Sequence, residues 1–158
     1  MKKTFPELQA ILPVLFLVPA CSPPGTDTAA PASVEEPPAI ERTSSADGAR
    51  LFFITPSDGE RVTNPVRVEF GLTGMAVVPA GDASPDSGHH HLIVDSGLPD
   101  FDRPIPKDQN HIHFGDGSSA TELTLSPGQH TLQLLLADHL HLPHDPPVFS
   151  AQIRIAVE

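Results

Sequence analysis

The chain has 158 residues, enough for one folded domain with an appendage. Its 9 Lys and Arg stand against 20 Asp and Glu, a formal charge of −11, a balance that excludes nucleic acid as a partner and draws in cations. The single cysteine excludes an internal disulfide and any thiolate cage for a metal.

The first twenty residues read as an address. Met1-Lys2-Lys3 is a short basic start, Leu8 to Val18 is largely apolar, and Val18-Pro19-Ala20-Cys21 closes the segment. This resembles a bacterial lipoprotein signal, which implies cleavage before Cys21 and lipid attachment to its sulfur. The apolar run is too short for a comfortable membrane span. By analogy with enterobacterial lipoprotein sorting, Ser22 after the cysteine directs the chain to the outer membrane, facing the periplasm. Residues 21–48 are rich in Pro, Ala, Ser, Thr and Glu and poor in large apolar side chains. Such a segment buries too little surface to offset its conformational entropy, so it is expected to be a disordered tether. The folded domain is placed at 49–158.

From there the apolar pattern has period two. Leu51-Phe52-Phe53-Ile54 opens a strand and Pro56-Ser57-Asp58-Gly59 supplies a turn. Val66, Val68 and Phe70 alternate with Arg67 and Glu69, as in a strand with one buried face. Gly71 to Gly74 is read as a break, and Met75 to Pro79 as a short strand or irregular edge. His89 to Asp95 is strand-like and precedes a polar loop from Ser96 to Gln109. Strands are then expected at His111–Phe114, Ala120–Leu125, His130–Ala137 and Val148–Val157, with turns at Gly115-Asp116-Gly117 and Pro127-Gly128. No amphipathic helix or internal repeat is evident. The expectation is an all-β fold: an immunoglobulin-like antiparallel β-sandwich of seven or eight short strands, with a small closed barrel as the alternative.

All nine histidines fall between Gly88 and Asp145. In a strand, residues i and i+2 share a face about 6.5–7 Å apart. His89 with His91, and His111 with His113, therefore form two pairs, and His139, His141 and His144 form a third group in the connection before the last strand. If those strands are neighbours, an all-nitrogen site results, suited to copper, zinc or nickel, with copper ahead in the usual affinity order, and the reading settles on copper or zinc. His89, His91, His111, His113, His141 and His144 are the candidate ligands, and Met75 is a candidate axial sulfur. His130 reads as a hydrogen-bonded structural histidine, and His90 alternates with Leu92 and Val94 and can point inward. His139 reads as exposed. Asp95, Asp100, Asp102, Asp108 and Asp116 lack the spacing of a calcium loop and read as solvated.

Gly88-His89-His90-His91-Leu92, His113-Phe114-Gly115, Pro127-Gly128-Gln129-His130-Thr131-Leu132 and Asp138-His139-Leu140-His141-Leu142-Pro143-His144 together resemble the bacterial domain-of-unknown-function family 4399. The resemblance covers roughly residues 50–157. It implies a secreted or envelope β-domain with recurring histidines at His90, His91, His113, His130 and His141, and it assigns no reaction. Gly115 to Ser119 departs from the Gly-Gln-Thr-like run the resemblance calls for. The sequence carries no Gly-x-Ser-x-Gly elbow, phosphate loop or His-Glu-x-x-His motif, so binding is favoured over catalysis. The reading is a membrane-tethered domain that stores, buffers or delivers copper or zinc. The alternative is a structural or adhesive module for protein or glycan, whose histidines serve as internal hydrogen-bond partners.

Overall fold

The computed structural model describes residues 41–158. The expected signal peptide, Cys21 and the first part of the expected tether lie outside the described residues. Among the described residues there are nine strands and no helix. They are β1 (Arg50–Thr55), β2 (Arg61–Val62), β3 (Val66–Thr73), β4 (Ala76–Val77), β5 (Ser87–Val94), β6 (His111–His113), β7 (Ala120–Leu123), β8 (Gly128–Ala137) and β9 (Ile153–Val157).

The strands form two sheets. One has the order β1-β3-β7; the other has the order β2-β9-β8-β5-β4, with β6 also pairing to β5. Most pairings are antiparallel, as the short turns require. Two short ones are not: β2 runs parallel to β9 and β4 parallel to β5. The run through Gly71 is not broken, because β3 continues to Thr73 opposite β1, with Gly71 across from Phe52. A side chain on Gly71 would collide with the Phe52 ring, which lies 2.6 Å from where its Cβ would be. The last strand is shorter than its apolar pattern suggests. Val148 and Ser150 still bond to β8 through Leu136 N to Val148 O and Ser150 N to Leu134 O, and regular pairing begins only at Ile153.

Alternation sorts the side chains into two interiors. Leu51, Val66, Val68, Phe70 and Leu123 of the smaller sheet meet Leu92, Val94, Leu132, Leu134, Leu136, Ile153, Ile155 and Val157 of the larger one in a single core. Burial of these groups drives the association of the sheets, at about 25 cal/mol per Å² of apolar surface removed from water. The opposite face of β5 and β8 is covered as well. Ile93, Leu135 and Ala137 pack there with Ile105, Leu98 and Phe101, all three contributed by the polar loop between β5 and β6. All eight residues of β5 are therefore buried. Met75 packs against the core between the sheets and supplies no sulfur to the histidines on the other face.

Candidate metal centre

The site is built on the outer face of β5. His90 points inward with Leu92 and Val94, and its ring meets the Phe70 ring edge-on at 4.7 Å. By alternation, His89 and His91 point the other way. β6 lies against β5 in the register His91 to His113 and Ile93 to His111, so His113 joins the same face. Ile112, between the two histidines of β6, packs on the core, and Phe114 enters it.

The third contributor is the loop after β8. Asp138 Oδ1 accepts hydrogen bonds from Leu140 N (2.8 Å) and Leu142 N (3.0 Å), while Asp138 N donates to Leu142 O and His141 N to Asp138 O. These bonds wind residues 138–142 into a tight turn and hold His141 at φ 64°. A non-glycine residue in the left-handed region is strained. The turn is locked further where Ile105 N donates to His141 O. The result aims the His141 ring back over β5 and β6.

There the rings converge. Nitrogens of His89, His113 and His141 all lie within 4.8 Å of one another. Nε2 of His113 and Nε2 of His141 are 3.1 Å apart. Ring centroids are 5.0 Å apart for His89 and His113, 4.8 Å for His89 and His141, and 4.7 Å for His113 and His141. His91 stands beside them, its centroid 5.0 Å from those of both His89 and His113. Two nitrogens bound to one tetrahedral ion at 2.0–2.1 Å stand about 3.3 Å apart, so the His113–His141 separation fits a shared cation. One N–H···N hydrogen bond would also fit that pair. It would leave both ring nitrogens of His89 and Nδ1 of His91 buried without a partner. Each such orphan costs about 1–3 kcal/mol.

The electrostatics favour neutral rings with free lone pairs. Burial, followed by the neighbouring His141 and His113, lowers the His89 pKa to about 4. Burial and then His89 and His113 lower that of His91 to about 2. His113 is lowered too, by burial and then by His141. Neutral imidazole is the form that ligates metals. His89 is fully buried while His113 and His141 are partly exposed, so the site has a floor and an opening toward solvent.

Residues 68–158, more than half of the chain, match the family model described as "Domain of unknown function (DUF4399)". The chain belongs to this family. No curated protein and no solved structure matches it. Of the five histidines that the resemblance to DUF4399 singles out, His91, His113 and His141 lie in or beside the ring cluster. His90 lies in the core, with both ring nitrogens unpartnered. His130 is bound at both nitrogens, Nδ1 to Asp95 Oδ2 at 2.6 Å and Nε2 to Ser126 O at 2.8 Å. Both partners are acceptor oxygens, and the Asp95 contact raises the pKa of the ring, so His130 ties β8 to Asp95 just beyond the end of β5.

Two residues expected among the ligands are held by other partners. His111 Nδ1 bonds Asp108 Oδ1 at 2.8 Å, and its Nε2 is buried without a partner. His144 Nε2 donates to Ser87 O at 3.1 Å. Neither belongs to the three-nitrogen group. The aspartates read as solvated loop residues mostly cap their own turns, as Asp100, Asp108 and Asp116 do for backbone amides two residues on. Reading the sequence missed Asp138 and Gly115. Asp138 has a recognisable signal, since an Asp whose side chain takes the amide two residues on is a common turn former. Gly115 has none: it matters because the His113 ring lies over it, with Cε1 2.5 Å from where a Cβ would be.

Proposed function

We propose that this domain binds one divalent transition-metal ion, copper or zinc, through His89, His113 and His141, with His91 closing the set from β5. The observation that carries the reading is the convergence of three ring nitrogens within 4.8 Å, floored by a buried imidazole that has no hydrogen-bond partner at either nitrogen. Nitrogen-only ligation suits copper and zinc. The partly exposed His113 and His141 leave a route for the ion, as storage, buffering or delivery requires. Two packed sheets sharing one core support an immunoglobulin-like sandwich as the frame. The leader pattern ending at Cys21 supports a lipid-anchored envelope protein at the outer membrane, facing the periplasm, and metabolic lipid labelling lost in Cys21→Ser would test it. No helix of the described residues is long and apolar enough to cross a membrane.

Titration of the full chain with Cu(II) and Zn(II), alongside the His113→Ala/His141→Ala double variant, tests the metal reading. Both substitutions fall on partly exposed residues, so the fold should persist. The intact site should bind at least about a hundredfold more tightly than the variant. Equal binding by the two proteins would leave the rival reading, a protein- or glycan-binding module with internally bonded histidines. That rival is favoured locally by His130, whose ring is fully occupied by protein partners.

A further inference from the structure

Composition places residues 42–45 in a tether, yet the structure binds them to the loop that carries His141. Arg42 Nε donates to Pro143 O at 3.0 Å, and Arg42 also donates to His144 O. Asp145 N donates to Thr43 O at 2.9 Å and Ser45 N to Asp145 O at 3.2 Å, a short parallel bridge. The Arg42 guanidinium lies 5.9 Å from the centre of the Phe101 ring. Thr43 Oγ1 donates to Asp138 Oδ2 at 2.7 Å.

That last bond reaches the candidate centre. Asp138 is 1% exposed, and its two carboxylate oxygens have separate tasks. Oδ1 winds the turn that gives His141 its left-handed backbone. Oδ2 takes the Thr43 hydroxyl. A buried carboxylate oxygen deprived of its donor is costly, and the relief available to it is to turn toward water. Turning would take Oδ1 away from Leu140 N and Leu142 N and release His141 from its aim.

We infer that Thr43, on the segment leading into the domain, is a positioning residue for the metal site, acting through Asp138 on His141. Residues 42–45 are thus a clasp that keeps the third ligand in register with His89 and His113. This rests on the metal reading above. It assigns a role to a stretch ahead of β1 that contributes no strand to either sheet.

The test uses the full chain with Thr43→Val and Thr43→Ser, titrated with Co(II), whose absorption reports ligand number and geometry. Thr43 is an exposed residue, so neither change should prevent folding. Thr43→Val keeps the shape and loses the hydroxyl. It should bind tenfold to a hundredfold more weakly than wild type, the usual range for a lost supporting contact, with an altered spectrum. Thr43→Ser should restore both affinity and spectrum. If wild type binds and Thr43→Val matches it in both readouts, the clasp is refuted and the metal site stands. Weakened binding that serine does not rescue also refutes the hydroxyl's role. If wild type itself shows no binding, the metal reading falls and takes the clasp with it.

Discussion

Gly115→Ala is a one-methyl probe of the centre. Gly115 carries no positive φ, so alanine is compatible with its backbone, and its carbonyl keeps the bond from Ala80 N. The new Cβ would lie 2.5 Å from His113 Cε1, 3.1 Å from Nε2 and 3.2 Å from Nδ1. Non-bonded carbons rest roughly 3.5–4.0 Å apart, so the ring must withdraw by about 1 Å. Metal–ligand distances tolerate about 0.2 Å. A ring that can swing on its own side-chain torsions moves at small cost to the fold but leaves the shared point. Affinity should therefore drop about tenfold to a hundredfold, equivalent to about 1.4–2.8 kcal/mol. The assay is competition of Zn(II) or Cu(II) against a chelator, paired with thermal melts of the metal-free proteins. For wild type, metal at a hundredfold its Kd adds about 2.7 kcal/mol, a rise in Tm on the order of 10 °C. Identical affinity in the two proteins, with unchanged metal-free melts, would refute the assignment of His113 to the centre.

Two further outcomes follow from other contacts. The hydrogen bond to Asp95 raises the His130 pKa above 6.5, opposed by burial and helped by the Ser126 carbonyl. Its stabilisation is therefore complete below about pH 6.5 and lost as pH rises through the folded value. The lowered pKa values of His89, His91 and His113 tilt stability the opposite way through this range, so the His130 contribution is read as the difference between the two proteins. His130→Ala should cost about 1–3 kcal/mol at pH 6 in urea midpoints, and that deficit should shrink as pH rises through the folded value; a deficit that stays constant with pH would exclude a titrating His130. Gly88→Ala should destabilise by about 1–3 kcal/mol, because its Cβ would meet Ala137 O at 2.6 Å and His144 Cε1 at 2.9 Å inside the sheet. An unchanged urea midpoint would show that β5 and β8 separate there at no cost.

What could be read ahead of the structure was what alternation encodes. Val66-Val68-Phe70 and Ile153-Ile155-Val157 mark strands because each has one buried face, and the same rule puts His89 with His91 and His111 with His113. Elements defined by long-range partners were invisible. β2 is two residues whose identity as a strand comes from β9, almost a hundred positions away. His111 and His113 share a face and a spacing, yet one is taken by Asp108 and the other meets His141. The difference lies in which loop passes overhead. The path of residues 138–145 depends on bonds from Arg42, Thr43 and Ile105, none of which leaves a periodic trace. Residues 42–45 have the composition of a tether, because polar residues that bind through backbone and hydroxyl groups carry no apolar pattern.

The alternation within β5 also limits how its gene segment can change. His90 faces Phe70 on one side and His89 and His91 face the open site on the other, so every residue from Gly88 to Val94 has an assigned direction. Exchange of one side chain disturbs one direction. Gain or loss of a single codon reverses them all downstream, turning imidazoles into the oily interior and leucine and valine outward. Replacement should therefore be survivable in this segment where frame-preserving insertion and deletion are not.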